Sequence, residues 1–509
     1  MSNSAPSADV VVIGGGPAGL TAAAEAARAG ARVVVLERRT EDTHSRAGVI
    51  QPRVLELLDA RGLMGRFRAA ARQWRPDFEV PRYMYAGLAG LRYDLLDSKF
   101  PYALILPQMT TEHLLAEWAV QQGVDFRRGV TYLGHVADGE RVTVTARDVD
   151  GAAVDLDASY LVGADGARSL VREAAGIPFE GHRTRMTAVA VDADLSFPWQ
   201  ASMRMRRNEH GWVLAYPFGR GITRFIIVAE HRRHTPKTEP VTMPEVRESL
   251  RLIFGTDFGL TTAKWLSRYG DAHRQVPAFR SGRVLLVGEA TRVHYPASGI
   301  GMNYCMQDAF NLGWKLGLAA TGRAPDALLD SYHDERHPVL KALMDDVAAQ
   351  CALHFDFSPG GLALKDFVER ELVPVPEVNA ILRNRLSGFG TSYHRAADPH
   401  RADGTRVSDF PVDSPLGACY VDVARNAGFV LVDTTATPRA LPGSITTAAA
   451  APDTVLPREL AGATTALIRP DAYVARAWDV RPTDAEVLSA HQEAIGLAAA
   501  EPHPAAVVQ

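Results

Sequence analysis

The feature that most constrains the fold stands at the N-terminus. Asp9-Val10-Val11-Val12-Ile13 is an unbroken apolar strand pattern, and Gly14-Gly15-Gly16-Pro17-Ala18-Gly19 follows it directly. An alanine-rich helix pattern then runs to about Arg28, and a second strand pattern, Ala31 to Leu36, ends at Glu37. Strand, helix and strand in this order form a βαβ unit, which commits the chain to a parallel sheet with helices packed on it. Gly14 allows the tight turn, Gly16 lets a pyrophosphate approach the backbone, and Gly19 lets helix and strand pack closely. Pro17 and Ala18 open the helix, whose N-terminal N–H groups and dipole favour an anion. Glu37, about 20 residues beyond the glycines, is placed to accept hydrogen bonds from a ribose. The whole pattern points to a dinucleotide without choosing between FAD and NAD.

The 509 residues leave room for about two or three domains. With 47% hydrophobic and 22% charged residues, the composition is that of a soluble globular protein. A formal net charge of -4 supplies no field to recruit nucleic acid or anionic lipid, so neither partner is expected. The opening residues lack the basic and apolar regions of a signal peptide and no apolar run is long enough to span a bilayer, so the expected location is cytoplasmic. Cys305, Cys351 and Cys419 form neither a zinc pattern nor a C-x-x-C pair, and no disulfide framework or metal site is expected.

Two further stretches narrow the choice. Tyr160 to Ser169, "YLVGADGARS", follows the alternating segment Arg141 to Thr145. The strand pattern Arg283 to Val287 leads into "GEATRVHYPASGIGMN", Gly288 to Asn303, and then into a helical run from Cys305 to Leu318. With the N-terminal glycines, Asp165-Gly166, and Gly288-Glu289 followed by Pro296, Gly299, Gly301 and Asn303, the chain resembles the flavoprotein aromatic hydroxylases. These are the group-A FAD monooxygenases typified by p-hydroxybenzoate hydroxylase. Arg46, Gln108, "QDAFNLGWKL" (Gln307 to Leu316) and "LLDSYHDERHPV" (Leu328 to Val339) extend the resemblance over most of the chain. It is strongest to the larger members that act on polycyclic aromatic polyketides and on ansamycins such as rifampicin, which share the Val-His-aromatic-Pro spelling at Val293 to Pro296.

The resemblance implies an α/β fold in which a Rossmann-type FAD domain (1–75, 101–181 and 275–345) is interleaved with a β-sheet substrate domain (76–100 and 182–274). A helical connector (346–395) and a thioredoxin-like C-terminal α/β domain without redox cysteines (396–509) complete the expected organisation. In the tail, "GFVLV" reads as a strand and "ALIRPDAYVARAW" as two strands about a Pro-Asp turn. Cys419 alone cannot do dithiol chemistry, so this domain is expected to pack or dimerise.

Residue roles carry over position by position. Glu289 stands where the family has an aspartate on the ribityl chain, and it still accepts two hydrogen bonds. Gly301, Met302 and Asn303 would present backbone N–H groups to the flavin pyrimidine edge. Pro296, Ala297 and Ser298 would lie near the ring position where oxygen adds, with Ser298 and Ile300 replacing a usual glycine and a usual glutamine. Asp165 and Gly166 would sit where the diphosphate and the nicotinamide route meet, although Asp-Gly is also a common turn. Arg46 and Gln108 would contact the diphosphate region, and Arg38 the adenosine. Arg292 replaces a usual histidine and reads either as a cation for a phosphate, carboxylate or substrate, or as a surface arginine. His294 reads as a substrate contact or a satisfied core histidine. Within "GWVLAYPFGRGITRFIIV", two strands about a glycine turn, Trp212, Tyr216, Phe218 and Phe225 are candidate substrate contacts, the alternative being plain core.

No second glycine motif appears, so NADPH or NADH would bind transiently to reduce non-covalent FAD. The resemblance then implies O2 chemistry through a flavin C4a-hydroperoxide on an aromatic or polycyclic substrate, by a monomer or homodimer. No catalytic acid or base is assigned. Rival readings are a Baeyer–Villiger oxygenase on the same fold and a flavin-binding protein that no longer oxygenates. A flavin halogenase is disfavoured: Leu214 interrupts its Trp-x-Trp motif, and no lysine precedes Lys99.

Overall fold

The computed structural model describes residues 7–497 apart from 43, 46, 197–202, 394–399, 426–427, 435–438, 440 and 442–444. Its N-terminal sheet runs in the order Arg280–Ser281, Val284–Leu286, Tyr160–Gly163, Val10–Ile13, Val33–Glu37, Asp125–Arg128. All neighbours are parallel except the Arg280–Ser281 edge. Val10 faces Tyr160 on one side and Val33 on the other, and the central strands are buried on both faces, as unbroken apolar runs require.

The Pro17–Arg28 helix lies against the Gly301–Ala320 helix. Two glycines set that approach. A Cβ on Gly313 would stand 2.4 Å from Glu25 Cβ, and one on Gly317 would stand 2.5 Å from the Ala26 carbonyl oxygen. Any side chain at either position would push the helices apart.

The second sheet is antiparallel, in the order Arg204–Asn208, Gly211–Gly219, Ile222–Ala229, Thr187–Leu195, Leu260–Gly270. Alternation divides its side chains between two cores. Val189, Val191, Val213, Ala215, Phe225 and Ile227 pack on Val246, Leu250 and Ile253 of the Met243–Phe254 helix. That helix is well bounded: Thr242 caps the Glu245 N–H, and Gly255 ends it at φ +82°. Ala188, Ala190, Trp212, Leu214, Val228 and Tyr269 join the main core on the other side.

The C-terminal sheet runs Val412–Asp413, Ile445–Ala450, Phe429–Asp433, Thr465–Ile468, Val474–Trp478, with only the Ile445–Ala450 and Phe429–Asp433 pair parallel. Phe429, Leu431 and Leu467 pack on Val487 of the Asp484–Ala494 helix and on Trp314 and Leu328. Buried ions reinforce the junction. Arg53 donates to the Asp471 and Ala472 carbonyls at 3.0 and 2.9 Å, Arg406 pairs with Glu56 at 2.9 Å, and Arg469 pairs with Glu335 at 2.9 Å. No helix among the described residues is long and apolar enough to cross a membrane.

Candidate functional site

The N-terminal turn is built as its glycines require. Gly14 has φ +109°, and a Cβ there would stand 2.4 Å from the Ala164 carbonyl oxygen. A Cβ on Gly19 would stand 2.0 Å from the Gly14 oxygen, whereas Gly16 faces open space. Pro17 starts the helix, no side chain caps it, and the N–H groups of Gly16, Ala18 and Gly19 take no partner among the described residues. A buried helix start without a cap leaves strong donors unsatisfied, and an anion satisfies them.

Glu37 accepts from the Gly15 N–H at 2.7 Å, the Arg39 N–H at 2.8 Å and Arg39 Nε at 2.9 Å. Burial pushes its carboxyl up, but the Arg39 and Gly15 bonds outweigh that and hold it below the usual range. Arg39 also reaches Glu112 at 3.4 Å. It is therefore Arg39, not the exposed Arg38, that closes on the acid. Gln108 begins its helix, donates to Glu112 at 2.7 Å and accepts from Ser45 at 2.6 Å. Arg46 lies outside the described residues.

Asp165 abuts the Gly14 turn, and its carboxylate is committed to a neighbouring helix. It accepts from the Leu170 and Val171 N–H groups at 2.8 and 3.2 Å and from the Ser169 hydroxyl. Gly166 follows at φ +82°.

The Gly288 to Asn303 stretch meets the same region from the other side. A Cβ on Gly288 (φ +69°) would stand 2.8 Å from Ala18 Cβ and 3.6 Å from Cys305 Cβ, so the first turns of the two packed helices converge there. Glu289 is exposed and makes no hydrogen bond or ion pair among the described residues. Pro296 is half-buried, and Ser298 and Gly299 turn the chain at φ +49° and +65°. The strained Ser298 is pinned: its carbonyl accepts from Tyr83 at 3.0 Å, and its hydroxyl donates to Gln350 at 2.8 Å. Asn303 accepts from the Gln51 N–H at 2.7 Å and donates to the Val49 carbonyl at 3.0 Å, so its side chain clamps that segment. The N–H groups of Gly301 and Met302 take no partner among the described residues.

The surface-arginine reading of Arg292 is overturned. Its side chain is 1% exposed and pairs with Asp308 at 2.9 Å, beneath the start of the Gly301–Ala320 helix, and it makes no substrate-facing surface. His294 donates through Nδ1–H to the Tyr295 carbonyl at 2.7 Å, while its ring lies 3.4 Å from where a Gly301 Cβ would be. Burial and Arg292 bring its pKa down to about 4, so the ring is neutral at neutral pH.

On the substrate sheet, Trp212 and Tyr216 pack on the main core, and Phe218 lies edge-on to Tyr216 and Trp74. Trp212 donates to the Gly87 carbonyl at 3.2 Å, and Phe218 stands 2.8 Å from where a Gly48 Cβ would be. Phe225 is corrected: it points to the opposite face, against Phe258 and the Met243–Phe254 helix. Its neighbour Arg224 occupies the inward position, where it pairs with Asp192 at 2.6 Å, donates to the Ser45 carbonyl at 3.2 Å and covers the Phe218 ring at 3.6 Å. Sequence reasoning missed this pair, although opposite charges inside two largely apolar strands were a signal; the two residues are in register.

Two uncapped helix starts, an ionised Glu37 and open space at Gly16 fit a dinucleotide's anionic centre and ribose. Residues 7–347 match the family model described as FAD binding domain. The chain is 37% identical to the uncharacterized aromatic compound monooxygenase YhjG of Bacillus subtilis, over 94% of this chain and 95% of that one. It is 36% identical to the 12-dehydrotetracycline 5-monooxygenase/anhydrotetracycline 6-monooxygenase of Streptomyces rimosus, over 93% and 95%. Among solved structures, OxyS anhydrotetracycline hydroxylase from Streptomyces rimosus aligns with a TM-score of 0.84 at 34% identity, covering 96% of this chain and 99% of that one.

Proposed function

The chain belongs to the FAD binding domain family and is an FAD-dependent monooxygenase, and on that premise we propose that it hydroxylates a phenolic ring of a polycyclic, polyketide-type aromatic. The observation that carries the reading is the convergence of two uncapped helix starts at Gly288. Gly14, Gly16, Pro17, Ala18 and Gly19 hold the diphosphate, with Gln108 and the Asp165-Gly166 turn beside it. Glu37 accepts from the adenosine ribose, with Arg38 at its edge, and Glu289 accepts from the ribityl chain.

A bound FAD would supply the redox chemistry, in which NADPH or NADH gives two electrons and one atom of O2 goes to the substrate while the other leaves as water. The residues of the chain do the placing. Gly301 and Met302 aim free N–H groups and a helix N-terminus at negative charge on the ring, while Asn303 fixes the turn they spring from. Pro296, Ser298 and Gly299 form the tight loop that covers the reacting edge. Trp212, Tyr216 and Phe218 give the substrate an aromatic wall, its Tyr216 and Phe218 rings edge to face, and neutral His294 stands beside Gly301. No side chain is assigned as acid or base; a phenol activates its own ring when its hydroxyl ionises.

We assign residues 1–75, 101–181 and 275–345 to the FAD domain, 76–100 and 182–274 to the substrate sheet, 346–395 to a helical connector, and 396–509 to a thioredoxin-like unit. The strand order of the C-terminal sheet and the lone Cys419 support the last assignment. The use of NAD(P)H is in keeping with a cytoplasmic enzyme, acting as a monomer or homodimer.

The test is turnover of purified holoenzyme with NADPH, an anhydrotetracycline-type phenol and 18O2, read by mass spectrometry. One 18O atom in the product supports hydroxylation of that class. NADPH oxidation with unlabelled, unchanged substrate would sink it, and 18O in a ring-expanded lactone would assign Baeyer–Villiger oxygenation instead.

A further inference from the structure

Arg292, Asp308 and Arg336 form a closed ionic group beneath the first turn of the Gly301–Ala320 helix. Arg292 Nη1 meets Asp308 Oδ2 at 2.9 Å, and Arg336 Nε meets Asp308 Oδ1 at 2.7 Å. All three side chains are at most 1% exposed. Arg292 Nη2 continues to the Gly301 carbonyl at 3.4 Å and to Cys305 Sγ at 3.7 Å, whereas Arg336 Nη1 donates to the neutral Tyr393 hydroxyl at 2.7 Å. Among the described residues, Asp308 is the one carboxylate within ion-pair distance of either guanidinium. Two fixed cations therefore share one anion. Arg292 Nε and Arg336 Nη2 are also buried without a partner. The Cys305 thiol does not supply the missing charge, because burial pushes it up to about 12.

A merely structural clip needs one arginine on Asp308, and a second cation on the same carboxylate costs desolvation that one negative charge offsets only in part. We infer that Arg292 is a positioning residue that leaves one net positive charge under the Gly301–Met302 turn and so makes bound FAD easier to reduce. The inference rests on the reading of that turn as the flavin site. Two electrons and one proton, drawn from NAD(P)H as hydride, leave the isoalloxazine with one negative charge. A buried cation below the turn favours that charged state over the neutral oxidised ring, and low polarizability around it lets the effect act over several ångströms. By the resemblance drawn from the sequence, a histidine is usual at the position where this chain has Arg292.

The measurement is the midpoint potential of the holoenzyme, followed in the visible spectrum during reductive titration at pH 8. Arg292→Gln should weaken the preference for the reduced cofactor by about tenfold, which is about 30 mV for a two-electron couple. Arg292→Lys should restore most of it. Asp308→Asn removes the anion and should move the potential the opposite way, which a general loosening of the site would not do. Arg292→His, the family's own residue, repeats the neutralisation if the glutamine variant fails to fold. Unchanged potential in the glutamine or histidine variant with FAD bound would overturn the inference. Folded variants that no longer retain FAD would overturn it too, by making Arg292 part of the binding frame. Wild-type protein that holds no FAD would overturn the underlying site reading along with it.

Discussion

Glu289 shows how a single exposed residue is tested. It sits one residue beyond Gly288, where the two helix starts meet, yet it makes no bond among the described residues. Removing a solvated carboxylate that has no partner costs the apo fold little, within about 0.5 kcal/mol. If its work is to accept from the ribityl hydroxyls, the loss falls on the cofactor. Glu289→Ala should therefore raise the dissociation constant for FAD by about tenfold, the worth of one or two charge-assisted hydrogen bonds. Glu289→Asp should retain most of the affinity. Flavin absorbance after desalting checks this; unchanged occupancy in the alanine variant would take Glu289 out of the site.

At the scale of the element, the two faces of one sheet separate packing from recognition. Phe225 and Trp212 are both buried aromatic residues of the substrate sheet, but alternation sends Phe225 to the Met243–Phe254 helix and Trp212 to the main core. Phe225→Ala should cost about 3–5 kcal/mol of stability and leave relative turnover among substrates unchanged. Trp212→Phe should cost less and shift that substrate ranking. A changed ranking in the Phe225 variant, with no change in the Trp212 variant, would reverse the assignment of faces. The strands themselves were legible: both hairpins of this reading, at Gly211–Ala229 and Thr465–Trp478, fall where alternation and turn residues put them. The glycine turn at Gly14 and the acid at Glu37 were equally legible, because local backbone geometry dictates them. Partners distant in sequence were not. Nothing near Arg292 announces that Asp308 and Arg336 will enclose it, and nothing near Arg38 and Arg39 says which of the two turns inward. Ser298 is a related case: its substitution for glycine was visible, but the Tyr83 and Gln350 bonds that hold its positive φ come from other elements.

Across the whole molecule, the site is cemented by neutral histidines, and that sets an acid limit. His354 is buried beside Trp212, with ring centroids 4.7 Å apart, and bonds the Ala86 carbonyl through Nδ1 at 3.0 Å. Burial brings its pKa down to about 4, and His294 falls equally far. Both folded values lie below the unfolded value near 6.5, so the unfolded chain binds protons first as the solution is acidified. Their stabilisation is fully present above pH 6.5 and is lost as the pH falls from there to 4, about 3 kcal/mol for His354 over the full window. The depressed carboxyls of Glu37 and Asp471 give way only at lower pH, so the histidines govern the first acid loss. His354→Asn keeps a donor for the Ala86 carbonyl and removes the titration. Between pH 7.5 and pH 5, urea unfolding should show that the variant loses about 2 kcal/mol less stability than the parent. An identical loss in both would mean that His354 is protonated in the folded state at pH 5, with its ring open to solvent.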